Sequence, residues 1–533
     1  MNFRVQRRIG VLLLGLLLSL LAACTSLPPL EGRTPSTALP APTDGRLAHL
    51  VATGIQAHPQ QSGILPLADP RDAFAARILL ARQAQRSIDA QYYIWRDDIT
   101  GAMLLSELMK AAERGVRVRI LLDDMNTGGM DEALALVDAH PNVEVRLFNP
   151  FRTRGLRWLG YLTEFDRLNR RMHNKSYTVD NLATVIGGRN VGDEYFGAGE
   201  AVMFTDLDMV GVGPVVDDVS RQFDRYWASA SSYPVRGFLR SPAADKAQAL
   251  RWQMHEREQS AKAQEYLEAV LESPLTQMVN QGTVDSAIEW TTVHMLSDDP
   301  AKGLGQAPPG SLLLDRLMLA VGEPQHKLDL VSPYFVPTES GTETFVKMAH
   351  QGVQVRILTN SLESTDVAPV HAGYAKRRKE LLRGGVTLYE LKRSAMPDTG
   401  APPPKRKRMG SSGSSGAPGS SGSSGSSLHA KTFAVDDQKV YVGSFNFDPR
   451  SARLNTEMGF LVDSPHLAHR MSNVFDTQVP RDAYQPQLDA EGHLFWLERK
   501  GDSVIRYQQE PGASWWRRTE VFLLAPLPIE SLL

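Results

Sequence analysis

The sequence predicts a layered α/β fold built from two similar domains that arose by internal duplication. Segments with strand-like alternation and segments with helical periodicity succeed one another along the chain. The stretch Gly115-Val116-Arg117-Val118-Arg119-Ile120-Leu121 returns with one change 237 residues later, at Gly352. A group of His, Lys, Asp and Asn residues also occurs twice, and its two histidines are 256 residues apart. With 533 residues, of which 42% are hydrophobic, the chain is long enough for two domains with sizeable cores.

The amino terminus predicts a lipoprotein signal peptide over residues 1–23. Three arginines precede an apolar run over 11–21, which is too short to span a membrane comfortably. The run ends at Leu21-Ala22-Ala23-Cys24, which resembles a lipobox, and Cys24 is the only cysteine of the chain. Its thiol has no intramolecular partner and is therefore free for lipid attachment. We expect a lipoprotein of the bacterial cell envelope that faces the periplasm, with an uncleaved membrane anchor as the alternative.

The first domain is expected over 62–235, after a tether. Residues 24–61 are rich in Pro, Ala and Thr and lack apolar periodicity, which predicts a flexible connection to the membrane. Within the domain, residue patterns predict in order a helix from Asp69, a strand over 87–94, a helix over 104–114, and strands over 116–122 and 143–148.

The second domain is expected over 286–465, after a charged helical connection over 236–285. It repeats the strands of the first domain and adds an insertion over 397–427 that contains Lys405-Arg406-Lys407-Arg408 and a Gly/Ser tract. This composition cannot form a core, so we expect the insertion to be flexible. Its basic run favours anionic headgroups, and a solvated loop without a role is the alternative.

Residues 466–533 are expected to form a C-terminal cap. Two strand-like runs flank Gly501-Asp502, which predicts a hairpin. The following Trp515-Trp516-Arg517-Arg518 is compatible with a packed cap, which we favour, and with a membrane interface.

The two copies of the His/Lys group share one spacing. In each copy Lys follows His by two residues, Asp by seven, Gly by fourteen and Asn by seventeen. A step of two places His and Lys on one face of a strand. A turn at Asp and a returning strand then bring His, Lys and Asn to one strand end. The copies consist of His173, Lys175, Asp180, Gly187 and Asn190, and of His429, Lys431, Asp436, Gly443 and Asn446.

These residues resemble the paired HxKxxxxD…G(S/G)xN motifs of the phospholipase D superfamily. The runs 166–175 and 187–196 resemble those of bacterial cardiolipin synthases, most closely the C type. The resemblance covers about residues 60–533 and implies two phospholipase D-like α-β-α domains with the active site at their interface. In the family pattern the aspartates Asp180 and Asp436 hold the turn after the motif strand. We therefore expect them to be structural members of the catalytic motif.

Phosphodiester transfer requires a nucleophile, a proton donor for the leaving alcohol and positive charge around phosphorus. Two histidines can fill the first two roles, because the imidazole pKa lies near neutrality. We expect His173 to be the nucleophile and His429 the acid and base. Lys175 and Lys431 supply charge in this scheme, and Asn190 and Asn446 donate hydrogen bonds. The scheme needs no metal or cofactor, and no spacing of metal ligands is present.

Four further residues complete the predicted site. Gly188 and Ser444 occupy the second small position of each motif and are expected to contact the substrate phosphate through a backbone N–H or a hydroxyl. Asp206 and Glu457 follow the motifs at the start of similar apolar strands. They match the positions where the family places the carboxylates that orient the histidines.

The resemblance implies a membrane-bound phosphatidyltransferase that makes cardiolipin from phosphatidylglycerol and a donor, either phosphatidylethanolamine or a second phosphatidylglycerol. A phospholipase D-type hydrolase is the alternative, followed by an exported nuclease and a lipid-binding scaffold. The net charge of −2 gives no basic stripe for nucleic acid, and intact motifs in both halves disfavour the scaffold. The participation of a small helper protein is left open.

Overall fold

Two mixed sheets form the framework of the protein. The computed structural model describes residues 27–31, 33–199, 203–393, 426–527 and 530–533. The signal peptide and Cys24 lie outside these residues, as does most of the predicted insertion. The strands of the first half are β1 (Ser62–Leu67), β2 (Ser87–Tyr92), β3 (Arg117–Asp123), β4 (Val143–Phe148), β5 (Ser176–Val179), β6 (Ala183–Gly187), β7 (Met203–Thr205), β8 (Asp208–Val212), β9 (Ser232–Pro234) and β10 (Glu289–Thr291).

The second half contributes the remaining strands. These are β11 (Val293–Ser297), β12 (Lys327–Val331), β13 (Gln354–Asn360), β14 (Thr387–Leu391), β15 (Ser426–Leu428), β16 (Thr432–Val435), β17 (Lys439–Gly443), β18 (Met458–Asp463), β19 (Ala483–Leu488), β20 (Leu494–Lys500) and β21 (Ser503–Tyr507). The first sheet has the order β10-β1-β8-β6-β5-β2-β3-β4-β9, and the second has the order β11-β18-β17-β16-β12-β13-β14-β19-β20-β21.

The strand orders confirm the predicted duplication. Seven strands of the first sheet, β1-β8-β6-β5-β2-β3-β4, match β11-β18-β17-β16-β12-β13-β14 of the second. In each set the same three strands are parallel, namely β2-β3-β4 and β12-β13-β14. Each set also has one buried ion pair between its first two parallel strands, Asp89 with Arg119 and Asp329 with Arg356. Both pairs are bidentate, which is the geometry that best offsets the desolvation of the two charges.

Helices cover the sheets and connect the halves. Their bounds are α1 (Arg46–Ala57), α2 (Pro70–Gln83), α3 (Ile99–Glu113), α4 (Asp131–Asp138), α5 (Arg157–Thr163), α6 (Phe165–Leu168), α7 (Asp193–Phe196), α8 (Pro214–Trp227), α9 (Ala244–Glu258), α10 (Ala261–Leu271), α11 (Pro274–Gln281), α12 (Leu313–Val321), α13 (Thr338–His350), α14 (Ala368–Arg383), α15 (Pro449–Arg453), α16 (Pro465–Thr477), α17 (Val479–Asp482) and α18 (Trp515–Leu524). In the described part of the chain, no helix combines the length and the apolarity needed to cross a bilayer.

The two halves share a hydrophobic core. One cluster of buried side chains joins Ile186 and Met209 of the first sheet with Val442 and Phe460 of the second. The outer faces of the sheets pack on helices in separate clusters. Removal of this shared apolar surface from water fixes the relative position of the two halves and therefore of the two motifs.

The prediction of a flexible tether over 24–61 is wrong for residues 33–57. Arg33 donates to the carbonyl oxygens of Ser229 and Ser232 at 2.7 and 2.9 Å, and α1 buries Leu47 and Val51. The extended segment also supplies carbonyl oxygens that domain arginines require. One of them, Arg119, donates to Ser36 O at 3.0 Å. Buried guanidinium groups need such acceptors, and the backbone of a Pro-rich segment offers them because few of its carbonyls are paired locally.

Three other predicted boundaries shift. The strand β10, at the start of the predicted second domain, pairs with β1, so the second sheet begins at β11. The helix α16 packs on β12, β16 and β17 and belongs to the second domain rather than to the cap. The last two residues of the predicted insertion, 426 and 427, form part of β15. The predicted cap hairpin is confirmed as β20 and β21, which extend the second sheet.

Candidate active site

The residues at the start of each motif are hydrogen-bonded to the backbone of the other half of the protein. The backbone N–H of His173 donates to Thr456 O at 2.9 Å, and that of His429 donates to Thr205 O at 2.8 Å. Met172 forms a parallel bridge with Thr456, and β15 pairs in parallel with β7. The two motifs therefore lie at the interface between the domains, as predicted.

The carboxylates that contact the histidines also cross between the halves. His173 Nδ1 lies 2.8 Å from Glu457 Oε2, and His429 Nδ1 lies 2.6 Å from Asp206 Oδ2. Both acids are buried, and both histidines are nearly so. In each pair the Nδ1–H donates to the carboxylate, which fixes the tautomer and leaves Nε2 as the second ring nitrogen. The predicted orienting acids therefore contact histidines, each of them the histidine of the other motif.

The two histidines differ in the charge of their partners. Burial, assisted by the neighbouring lysines, lowers the pKa of His173 well below its ordinary value. Burial together with Lys431 lowers the pKa of His429 to about 3. Burial opposes ionisation of Asp206, but His429 and Lys431 outweigh it and lower the pKa of Asp206 to about 2. Burial raises the pKa of Glu457 to about 7. Both imidazoles are therefore neutral at rest, and only His429 has a fully ionised partner.

The motif lysines are buried beside the histidines. Lys175 Nζ donates to His173 O at 2.5 Å, and Lys431 Nζ donates to His429 O. Burial lowers the pKa of Lys175 to about 7 and that of Lys431 to about 8. Ammonium groups held in a site from which water is largely excluded interact strongly with an anionic ligand. A phosphodiester bound here would in turn favour their charged forms.

The motif aspartates have the predicted structural role. Asp180 accepts hydrogen bonds from the backbone N–H groups of Gln85, Arg86 and Ser87 at 2.7 to 2.9 Å. Asp436 does the same for residues 325–327. Both aspartates have positive φ, at 54° and 52°, in the tight turn after their strands. They lie at the strand ends opposite the histidines, so they hold the turn and do not reach the site.

The two motif asparagines differ. Asn190 is fully engaged with its own half, because its Oδ1 accepts from Ile94 N–H at 3.1 Å and its Nδ2 donates to Tyr195 Oη at 3.0 Å. Asn446 Oδ1 is buried and has no hydrogen-bond partner among the described residues. Of the two side chains, Asn446 is therefore the one available to a ligand.

The expected phosphate contacts of Gly188 and Ser444 are wrong for this geometry. Gly188 N–H donates to Leu207 O at 3.2 Å and Ser444 N–H to Met458 O at 2.9 Å, so both groups belong to strand pairing. The Ser444 hydroxyl donates to Glu457 Oε2 at 2.5 Å. A Cβ at Gly188 would lie 2.1 Å from Asp206 Oδ1. Each residue therefore matches the carboxylate in its own half. Ser444 supplies a hydroxyl that bonds Glu457, and Gly188 leaves the space that the Asp206 carboxylate occupies.

Aromatic residues not singled out from the sequence surround both rings. Tyr93 packs edge-on against His173 with centroids 5.0 Å apart, and Tyr195 packs edge-on against His429 at 5.1 Å. Phe204 also contacts His429 at 5.0 Å. These rings orient the imidazoles and restrict the access of water. Tyr195 lies five residues after Asn190, inside the run 187–196 that resembles the family, and this position could have identified it.

Two further residues that were not predicted from the sequence accept a hydrogen bond from the backbone of the residue before each histidine. Asp123 Oδ2 accepts from Met172 N–H at 2.8 Å, and Asn360 Oδ1 accepts from Leu428 N–H at 3.0 Å. Asp123 and Asn360 end the duplicated strands β3 and β13 and are 237 residues apart, which is the offset of those strands. Alignment of the duplicated strands could therefore have located both residues.

Among the described residues, one group of side chains has a geometry suited to a metal ion, namely Asp489, Glu491 and His493. It lies in the turn between β19 and β20 on the cap. Asp489 already accepts from His493 N–H at 2.7 Å, so turn formation accounts for the cluster.

A family model described as the cardiolipin synthase, phospholipase D-like domain matches residues 78–227 and 317–479. The two stretches cover more than half of the chain and contain both motifs and both orienting carboxylates. The chain belongs to this family. Membership confirms the predicted family, the two phospholipase D-like domains and the class of enzyme, a phospholipid transferase.

Relatives within the cardiolipin synthase family match almost the whole chain. Cardiolipin synthase C of Escherichia coli (strain K12) is 48% identical over 492 residues, which cover 92% of this chain and 100% of the relative. A cardiolipin synthase of Oceanobacillus iheyensis is 24% identical over 433 residues, covering 80% of this chain and 71% of the relative. The crystal structure of phosphatidylserine synthase from Haemophilus influenzae Rd KW20 is similar with a TM-score of 0.55 and 14% identity, covering 91% of this chain and 100% of that one. At that identity the similarity concerns the fold alone.

Proposed function

We propose that this protein makes cardiolipin from phosphatidylglycerol and a phospholipid donor through a phosphohistidine intermediate. The observation that carries the proposal is the crossed arrangement of two imidazoles, each bound through Nδ1 to a carboxylate of the other half. Two such groups, with two lysines beside them, meet the needs of a double displacement at phosphorus. The name of the Escherichia coli relative, cardiolipin synthase C, supports the choice of substrate and product.

In the first step, His173 Nε2 attacks the phosphorus of the donor. The N–P bond forms as the bond from phosphorus to the headgroup oxygen breaks, and His429 gives its Nε2 proton to that oxygen. A bound anionic phosphodiester and the ionised Asp206 both favour the imidazolium form of His429 that this step requires. The less acidic Glu457 suits a histidine that must begin as a neutral nucleophile. This difference supports His173 as nucleophile and His429 as acid.

In the second step, the neutral His429 accepts a proton from a hydroxyl of phosphatidylglycerol. That oxygen attacks phosphorus, the N–P bond breaks, and His173 is regenerated with cardiolipin as the product. Lys175 and Lys431 are placed to stabilise the charge on the equatorial oxygens in both steps. If water replaces phosphatidylglycerol, the same sequence yields phosphatidic acid, which is the hydrolase alternative.

The test is conversion of headgroup-labelled and acyl-labelled phosphatidylglycerol by the purified protein in mixed micelles. We expect acyl label in cardiolipin and headgroup label divided about equally between free glycerol and cardiolipin, because the acceptor keeps its glycerol, with little phosphatidic acid. Expression in a cardiolipin-deficient bacterial strain should restore cardiolipin in the lipid profile. Phosphatidic acid as the main product, in the presence of excess phosphatidylglycerol, would instead establish a hydrolase.

Two helices with exposed apolar side chains support binding to a membrane surface. Trp515 and Trp516 on α18 are 64% and 75% exposed, although the other side of the helix packs on α14. Trp158 and Leu162 on α5 are exposed in the same way. The predicted packing therefore holds for one side of α18, whereas the tryptophans on its other side face outward. Aromatic and arginine side chains in such an arrangement suit the headgroup region of a bilayer.

Residues that follow the two exposed helices in sequence are bonded to the same arginine near the second motif. Arg450, four residues after Asn446, donates from its backbone to Leu533 O at 2.8 Å, beyond α18, and from its guanidinium to Asn169 O at 3.0 Å, after α6. Asn169 in turn precedes His173 by four residues. Both segments therefore reach Arg450, close in sequence to the second motif, which supports the approach of a lipid phosphate from this side.

Replacing Trp515, Trp516 and Phe522 together with alanine is expected to weaken binding to vesicles of phosphatidylglycerol and phosphatidylethanolamine by more than about tenfold. Each buried aromatic side chain contributes on the order of 1.5–3 kcal/mol, and each 1.4 kcal/mol is tenfold in affinity. Sedimentation with vesicles measures the effect. Trp252→Ala on α9, where the side chain is 60% exposed, is the matched control and should bind as the unaltered protein does. Equal loss in both would contradict a specific docking face.

A lipid on Cys24 is proposed as the permanent anchor. Cells grown with radioactive palmitate should label the unaltered protein and not Cys24→Ala, because the chain has no other thiol. Label in both proteins, or in neither, would contradict the lipoprotein assignment.

A further inference from the structure

One carboxylate near the second motif is not used in the mechanism above. Asp366 lies in the loop between β13 and α14, and its side chain is exposed. The loop is fixed to the strand that leads into the motif. Ser427 Oγ donates to Ser364 O at 3.0 Å, and the side chain of Asn360 bonds both the N–H and the carbonyl of Leu428. Leu428 directly precedes His429, so this loop moves with the motif.

Tyr334 connects Asp366 to the same strand end. It follows β12, whose last residue Val331 is paired with Thr432, the residue after Lys431. The Tyr334 hydroxyl donates to the Asp366 carboxylate, with Oη 2.9 Å from Oδ2 and 3.0 Å from Oδ1. Ser332 Oγ donates to Tyr334 O at 2.8 Å and holds the turn between strand and tyrosine. The carboxylate is therefore held in a set orientation at the end of the sheet where Lys431 and His429 lie.

Asp366 interacts electrostatically with the site although it forms no ion pair with a described residue. Burial lowers the pKa of Lys431, and Asp366 is among the acids that oppose this effect. The surrounding protein raises the pKa of Asp366, against the hydrogen bond from Tyr334 and the charge of Lys431. The Asp366 carboxylate is therefore exposed at the surface and at the same time partly desolvated by the residues around it. It retains lone pairs for a ligand, because one tyrosine hydroxyl uses only part of its accepting capacity.

The corresponding loop of the first half, which the structure describes in full, has no equivalent free acceptor. The loop after β3 also contains acidic residues, but Asp124 is fully buried and accepts from Phe151 N–H at 2.7 Å and from Arg154 at 2.6 Å. Asp131 is paired with the same arginine. The two carboxylates of this loop are therefore occupied by ion pairs, whereas the matching loop of the second half presents an available carboxylate.

We propose that Asp366, oriented by Tyr334, is the subsite that binds the alcohol on the His429 side of the reaction. The inference rests on the proposed function, in which His429 protonates the leaving headgroup and later deprotonates the entering alcohol. Both alcohols therefore occupy one place in turn. A carboxylate there accepts a hydrogen bond from a second donor group next to the reacting oxygen. The ligand class is a small alcohol with such a donor, either the free hydroxyl of a glycerol headgroup or the ammonium of an ethanolamine headgroup.

The test measures how one phosphoenzyme divides between competing alcohols. A short-chain phosphatidyl-p-nitrophenol in detergent serves as donor, and glycerol, ethanolamine and 1-propanol are offered together in equal amounts. The ratio of the three phosphatidyl products is independent of protein concentration and of the rate of the first step. Release of p-nitrophenol reports the first step separately. We expect the unaltered protein to prefer glycerol and ethanolamine over 1-propanol, which has no second donor.

Asp366→Asn is expected to lower this preference about tenfold, the usual effect of one charge-assisted hydrogen bond. Ethanolamine should lose more than glycerol, since asparagine keeps an acceptor oxygen but not the charge. A fall confined to ethanolamine assigns the subsite to the ammonium, and a fall confined to glycerol assigns it to the hydroxyl. Tyr334→Phe, which leaves the carboxylate present but unoriented, should lower the preference in the same direction and to a smaller extent. Asp315→Asn, on the exposed side of α12, is the matched control.

The outcomes separate the subsite from the reaction itself. Product ratios equal to those of the unaltered protein in both Asp366→Asn and Tyr334→Phe overturn the subsite. If Asp366→Asn releases no p-nitrophenol, Tyr334→Phe alone decides. Failure of the unaltered protein to transfer the phosphatidyl group to any alcohol overturns the proposed function instead.

Discussion

Replacing either motif histidine with alanine is expected to abolish phosphatidyl transfer, and replacing both is expected to have no larger effect than replacing one. In the proposed mechanism His173 and His429 act on the same phosphorus from opposite sides, so complete transfer from the natural lipid requires both. Effects of groups that act as a unit are strongly non-additive. Turnover of phosphatidylglycerol in mixed micelles measures the loss. His350→Ala, an exposed histidine at the end of α13, is the matched control and should retain full activity.

The roles of the two histidines can be separated with the donor phosphatidyl-p-nitrophenol. Its leaving group is a weak base that departs without a proton, so the first step no longer needs a general acid. We expect His429→Ala to release p-nitrophenol and accumulate a phosphoenzyme, because His173 remains able to attack. His173→Ala should release none. General acid catalysis contributes about 10²–10⁴-fold, so the difference between the variants should be easily measured.

The opposite pattern, with p-nitrophenol released only by His173→Ala, would exchange the two assignments while preserving the mechanism. Full turnover of the natural lipid by either single variant would contradict a mechanism with two histidines. Each variant leaves a buried carboxylate without its imidazole partner and should unfold at a lower temperature. Circular dichroism at the assay temperature checks that both variants are folded when activity is measured.

The duplication made much of the fold predictable. Strand β3 and its copy β13 have nearly the same sequence, so their shared position next to β2 and β12 followed from the offset between the copies. The turn aspartates Asp180 and Asp436 could likewise be assigned a structural role, because they follow strands at a fixed spacing. Local patterns of this kind reflect the geometry of neighbouring residues, which the sequence displays directly.

The crossed pairing of acids and histidines could not be predicted in the same way. Asp206 and His429 are 223 residues apart, and His173 and Glu457 are 284 residues apart. The spacing after each motif identified the acid within its own half, but the histidine that this acid contacts is determined by packing between the halves. The role of Gly188 was missed for the same reason, since the carboxylate that excludes a side chain there reaches it only in the folded domain.

The packed segment before the first domain illustrates a different limit. Its Pro-rich composition is typical of a linker, and nothing in its own pattern predicts order. Its partners include two buried arginines, Arg119 and Arg146, whose remaining N–H groups need acceptors once they are removed from water. The buried donors belong to the domain and the carbonyl acceptors belong to the segment before it, so neither stretch of sequence alone predicts the contact.

Asp206→Asn is expected to lower kcat by about 10³–10⁴-fold, the size of effect known for removing the charge of a carboxylate that fixes a catalytic histidine. An amide can donate to His429 Nδ1 and so favour the wrong tautomer. It also cannot stabilise the imidazolium form. Glu457→Gln should have a smaller effect, about tenfold, because burial already raises the pKa of Glu457 to about 7 and the acid is neutral part of the time. Turnover near pH 7 measures both variants.

The effect of Asp206→Asn on stability should be modest by comparison. The folded protein lowers the pKa of Asp206 to about 2, so its charge contributes stability near pH 7 and the amide should lower the melting temperature. Gly188→Ser offers an independent route to the same failure, because its Cβ would lie 2.1 Å from Asp206 Oδ1 and displace the carboxylate from His429. Ser444→Gly is its matched counterpart, and it should lower activity only moderately through loss of the 2.5 Å contact to Glu457. If Glu457→Gln and Ser444→Gly reduce turnover more than Asp206→Asn and Gly188→Ser do, His173 rather than His429 depends on an ionised partner.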